Sequence, residues 1–145
     1  MNLYLDSSAL VKRYLVETGS SEVVRMMAEA KRKGTVAISR AEVIAALAKA
    51  VRMGALTQEE AESAREVFQR EWRRLGRFRI TDLVLEMACD LAWKLGLRGY
   101  DSVQLAAAAL WQATDNEPVV MITFDGRLWE AAASIGLKPY PKTSP

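Results

Sequence analysis

Val119-Val120-Met121-Ile122 is the stretch that most limits what this chain can become. It is uninterrupted, apolar and rich in β-branched residues, with helical patterning on both sides. A strand without polar alternation reads as one covered on both faces, and that is a property of parallel sheets flanked by helices. Other short runs repeat the theme. Asn2 to Leu5 reads as a strand, as do Val36 to Ile38, Phe78 to Ile80 and Leu137 to Pro139. Between them lie segments with apolar residues at helical spacing. Short strands alternating with helices predict an α/β fold: a three-layer α/β/α sandwich around a mainly parallel sheet of four to five strands. At 145 residues the chain reads as one domain, 1–145, with 140–145 expected to fray.

The helix boundaries carry end signals. Asp6-Ser7-Ser8 offers three N-caps for a short helix through Leu15, and Thr18 to Ser21 opens a second. Lys31-Arg32-Lys33-Gly34 reads as the basic last turn and glycine stop of that second helix. Ser39 leads a third helix ending at Gly54, and Thr57 leads a fourth through Leu75. Thr81-Asp82 caps a fifth ended by Gly96. Asp101 starts a sixth, apolar almost all round and therefore expected to be buried, and Asp125 begins the last.

Composition narrows the chemistry by what is missing. The chain has no histidine and a single cysteine, Cys89, which excludes an internal disulfide and a multi-cysteine zinc site. Among Leu85, Ala88, Ala92 and Trp93, Cys89 reads as a small buried residue. The formal net charge of +2 does not by itself indicate a partner. No apolar run is long enough to span a bilayer and no leader pattern opens the sequence, so a soluble cytoplasmic protein with no membrane association is expected.

Against that background four acidic residues stand out: Asp6, Glu42, Asp101 and Asp125. Each lies at or near the start of a predicted helix, and Asp6 and Asp125 directly follow strands. In an open α/β sheet such positions gather at the carboxyl ends of the strands, where ligands bind. Each also has a structural reading. Ser39-x-x-Glu42 is a capping box, and the three aspartates stand where N-caps belong. As a set they suggest more, because clustered carboxylates repel unless a cation compensates. With no histidine, the donor set suits magnesium or manganese, which can activate water and neutralise charge on a phosphate.

The ordered segments Tyr4 to Leu10, Ser39-x-x-Glu42, Gly99 to Ala106 and Ile122 to Leu128 resemble a PIN domain, in its VapC-like toxin-ribonuclease branch. The likeness runs from residue 2 to about 138. The resemblance implies magnesium- or manganese-dependent endonucleolytic cleavage of RNA, with Asp6, Glu42, Asp101 and Asp125 as metal-binding carboxylates. Asp6 and Asp101 would be the direct ligands. It implies supporting roles for Ser7 and Thr123, a cognate antitoxin and a homodimer. Arg40, Arg98, Lys12 and Arg13 lie near the carboxylates in sequence and are candidate RNA contacts. Ser102 stands where relatives often carry alanine.

Two further features stay open at this level. Six arginines, Arg65, Arg70, Arg73, Arg74, Arg77 and Arg79, read either as a phosphate-binding surface or as a solvated helix face with pairs such as Glu66–Arg70. The Phe68/Trp72 stripe reads as core, or as a surface covered by an antitoxin peptide or a second copy. Two rival functions are a catalytically silent module binding RNA or a partner, and a haloacid-dehalogenase-like phosphatase. The phosphatase would want an aspartate at position 8, where this chain has Ser8.

Overall fold

The computed structural model describes residues 1–145 and contains five strands and seven α-helices. In chain order these are β1 (Asn2–Leu5), α1 (Ser7–Leu10), α2 (Ser20–Glu29), β2 (Arg32–Val36), α3 (Ser39–Arg52) and α4 (Gln58–Trp72). There follow β3 (Gly76–Phe78), α5 (Asp82–Leu95), α6 (Gly99–Asp115), β4 (Val119–Ile122), α7 (Gly126–Ser134) and β5 (Lys138–Tyr140). All strand pairs are parallel, in the order β3-β2-β1-β4-β5. The chain therefore builds outward from β1 in one direction and resumes at β4 on its other side. This reversal between β1 and β4 is the point at which open α/β sheets leave a crevice.

Alternation along the central strands sorts the core into two layers. Leu3, Leu5, Val120 and Ile122 point to one face, with Val23, Val43, Leu47 and Phe68 of α2, α3 and α4. Tyr4, Val119 and Met121 point to the other, with Leu105, Ala108, Leu128 and Ala132 of α6 and α7. Helix α5 is stacked outside α6 through Val84, Ala88 and Ala106. All four residues of β4 are buried, as its composition requires. Phe68 and Trp72 are core residues in edge-to-face contact, ring centroids 5.5 Å apart, so they offer no surface to a partner.

Several expectations fail for identifiable reasons. The first helix is one α-turn followed by a 3-10 turn over Val11–Arg13 and does not reach Leu15. Gly34 does not stop a helix. Helix α2 ends when Ala30 turns extended, and Gly34 lies inside β2, where a Cβ would come within 2.7 Å of Phe78 and 3.1 Å of Trp111. Strand β3 starts at Gly76, two residues earlier than expected, because Gly34 pairs with Gly76. The last strand is shifted to Lys138–Tyr140, and the tail is tied down where Trp129 Nε1 donates to the Pro141 carbonyl at 2.7 Å. Cys89 is exposed. It shares a stripe with Leu85 and Trp93 at i, i+4 spacing, while Val84 and Ala88 face inward.

Candidate active site

The register of β1 and β4 builds the centre of the site. Leu5 pairs with Ile122, so the next residues, Asp6 and Thr123, emerge side by side at the carboxyl edge. Thr123 Oγ1 donates to Asp6 Oδ2 at 2.7 Å. The Ala9 amide and Ser8 Oγ both donate to Asp6 Oδ1 at 2.8 Å, so Asp6 also caps α1. Burial pushes the Asp6 carboxyl up to about 6, and the nearby Asp101 charge adds to the rise; the hydrogen bonds from Thr123, Ala9 and Ser8 work against both. Asp6 is thus held in place by neutral donors that do not cancel its charge.

Asp125 follows Thr123 by two residues and caps α7, accepting from the Leu128 amide at 3.0 Å. Asp101 occupies the first turn of α6, but Arg98 is the N-cap and makes no side-chain cap bond. The expectation that Asp101 caps the helix is therefore not met. Its carboxylate instead accepts from Arg98 Nε at 3.1 Å, and Arg98 Nη2 donates to Asp125 at the same distance. The guanidinium bridges both carboxylates, and their charge raises the Arg98 pKa, keeping it protonated. Arg98 itself is 74% exposed, so this clamp is open to solvent and ions.

Glu42 enters from α3, and the capping box is not formed. Ser39 sits inside the first turn of α3 and points inward, accepting from Thr35 Oγ1 at 2.7 Å and from Gln104 Nε2 at 2.9 Å. The real capping box is Thr57 with Glu60 at the start of α4. Gln104 Nε2 also reaches Ser7 at 2.9 Å and Glu42 Oε1 at 3.3 Å, while Tyr4 donates to Gln104 Oε1 at 2.7 Å. The Val36 amide donates to the Tyr4 hydroxyl at 3.2 Å, completing a network from the sheet to the site rim. No buried side-chain polar atom is left without a partner. Burial raises the Tyr4 phenol well above its usual range, and the charges of Asp6 and Glu42 reinforce this, so Tyr4 stays a donor.

Tyr4, Gln104, Ser8 and Thr35 were not singled out from the sequence. Gln104 had a readable signal: it is a polar residue in the apolar helix α6, three positions after Asp101 and so on the same face. The candidate RNA contacts separate into two pairs. Arg40 is exposed at the start of α3, and Arg98 spans the carboxylates. Lys12 is tied to Glu17 at 2.9 Å and to the Thr18 carbonyl at 2.8 Å, and Arg13 to Glu71 at 2.7 Å. Those two charges are already neutralised within the fold.

The donors at this edge are carboxylate, hydroxyl and amide oxygens, a set that suits a hard divalent cation. No three acidic side chains are drawn together tightly enough to enclose an ion. Magnesium asks for less, since one or two carboxylates with several waters suffice. Asp6 and Asp101, close enough for their charges to interact, meet that requirement.

A family model described as PIN domain matches residues 3–134. The chain belongs to the PIN domain family. Among curated PIN relatives it is 32% identical over 139 residues to "Ribonuclease VapC45" of Mycobacterium tuberculosis (strain CDC 1551 / Oshkosh), covering 96% of this chain and 94% of that one. It is 31% identical over 135 residues to "Ribonuclease VapC46" of M. tuberculosis (strain ATCC 25618 / H37Rv), covering 93% of each. Among solved structures, the fold matches a toxin-antitoxin complex from Klebsiella pneumoniae with TM-score 0.66 and 15% identity, over 92% of each chain. It also matches VapBC2 from Rickettsia felis, bound to a promoter DNA fragment, with TM-score 0.64 and 13% identity, over 97% of this chain and 99% of that one. At such identities the structural likeness is one of PIN fold.

Proposed function

We propose that this PIN domain is a divalent-metal-dependent endoribonuclease, the toxin of a toxin–antitoxin pair. The observation that carries the reading is the gathering of Asp6, Asp101, Asp125 and Glu42 at the β1/β4 crevice, with the hydrogen-bonded supports just described. The two relatives named as ribonucleases align with nearly the whole chain and support it. Magnesium or manganese is the cofactor the oxygen donors favour, with Asp6 and Asp101 as direct ligands and Glu42 and Asp125 in support. When bound, such a cation polarises a phosphate oxygen and lowers the pKa of water.

The protein's own residues do the positioning. Thr123 and Ser8 fix the Asp6 carboxylate, and Ser7, Ser39 and Gln104 hold Glu42 on the opposite rim. Arg98 and Arg40 supply positive charge at the mouth for the RNA phosphates. No histidine is present as a general base, so the carboxylates accept the proton of the attacking water.

Two surfaces suit the expected protein partners. A groove of about 290 Å³ between α3 and α4, lined by Ile44, Leu47, Val51 and Ala61, fits an apolar helix of an antitoxin. The exposed Leu85–Cys89–Trp93 stripe of α5 fits a second copy in a homodimer. Purified protein should cut single-stranded RNA only with magnesium or manganese, and Asp101→Asn should reduce the rate at least ~100-fold, the scale of losing one transition-state charge contact. A folded Asp101→Asn protein that cuts at the wild-type rate contradicts the mechanism.

A further inference from the structure

The largest cavity of the molecule is not at the carboxylates. It has a volume of about 610 Å³ and lies beside the other end of α6, where Leu110, Trp111 and Thr114 face the start of β2 and strand β3. From Asp101 to Asp115 the helix axis alone spans about 20 Å. One wall is apolar, made by Phe78, Leu110 and Trp111; the rim is basic, made by Lys31, Lys33 and Arg74.

The charge around this cavity is unspent. None of the six arginines between positions 65 and 79 takes part in an ion pair, including the Glu66–Arg70 pair the sequence suggested. Arg73, Arg74, Arg77 and Arg79 are all exposed. Arg32 differs, being committed to Asp115 and Glu117. Protection of an edge strand accounts for a charge on β3 such as Arg77, and the helix dipole for one at the end of α4. Neither accounts for a cationic run that borders an aromatic-walled cavity. Strand β3 is the sheet edge, and it runs from this cavity toward the carboxyl edge, where exposed Arg40 stands at the start of α3.

We propose that the single-stranded RNA continues from the carboxylates along the β3 edge, its phosphates on Arg79, Arg77 and Arg74 and one nucleotide seated in the cavity beside Phe78 and Trp111. A flat base against an aromatic wall with phosphates on arginine is the usual chemistry of sequence-tolerant single-strand binding. The surface rests on the endoribonuclease reading and deepens it. It makes substrate grip depend on RNA well away from the cut.

The test is fluorescence anisotropy with labelled 20-nucleotide oligo(U), in an Asp101→Asn background that leaves the RNA intact. Arg74→Glu/Arg77→Glu should weaken binding at least ~10-fold and flatten the salt dependence by about 1.4 log units per log unit of salt, at about 0.7 per lost phosphate contact. The milder Arg74→Ala/Arg77→Ala pair should lose binding in the same direction, several-fold. A control on the far sheet edge, Lys138→Glu/Lys142→Glu, carries the same charge change and should lose much less. Equal losses for the two reversed pairs would reduce the effect to net charge and overturn the proposal. Unchanged RNA affinity in the arginine variants also overturns it, including the case where they impair only antitoxin binding. In that event RNA cleavage by the wild type leaves the endoribonuclease reading standing, whereas a wild type that neither binds nor cuts RNA sinks both.

Discussion

The two sides of the acidic crevice are held together by opposite means. On the β1 side Asp6 is buried, 4% exposed, and fixed by Thr123, Ser8 and the α1 backbone. On the α6 side Asp101 and Asp125 are partly exposed, and a mobile guanidinium spans them. Neutral donors orient a charge without cancelling it, so Asp6 keeps an unmet demand for a cation. Arg98 cancels charge but can be displaced by anything that competes for the same oxygens. The difference makes one half of the site a property of the fold and the other a property of its occupants.

The largest expected effect lies on the buried half. In metal-free buffer the folded Asp6 pKa of about 6 stands above the unfolded value of 3.8, so between these values the folded state keeps a proton that the unfolded state has lost. The Asp6 contribution to stability is therefore fully present below about pH 3.8 and is lost as pH rises through 6, by on the order of 3 kcal/mol. Urea denaturation across that window should give a pH slope for wild type that Asp6→Asn lacks; matching slopes would mean that Asp6 is not desolvated as described. A smaller effect is expected at Thr123. Thr123→Val removes the donor to Asp6 Oδ2 and the acceptor of the Asp125 amide, and should cost about 2 kcal/mol at neutral pH. If chemical denaturation finds no loss, Asp6 is held by the backbone alone.

The same division explains what could be read from the sequence. Strand-end aspartates after Asn2–Leu5 and Val119–Ile122 were legible because parallel strands this apolar must be central, and adjacent strands put their next residues together. The roles of Ser39 and Glu42 were not, since S-x-x-E has the same spacing whether it caps a helix or turns inward. Only the packing of Gln104 from a distant helix decides it. Gly34 was misread for a similar reason: a glycine demanded by Phe78 and Trp111 looks in sequence like one ending a helix. Cys89 was placed inside because its neighbours are apolar, although one stripe of α5 stays uncovered.

Calorimetric titration of the metal-free protein with manganese tests the central claim most directly. The wild type should bind, and Asp101→Asn should lose most of that binding while melting normally. Arg98→Ala, also melting normally because the lost guanidinium is exposed, should bind several-fold more tightly, since the competing charge is gone. Identical manganese binding in all three proteins would contradict the account: the carboxylates would not form one cation site, and Arg98 would not stand in for its occupant.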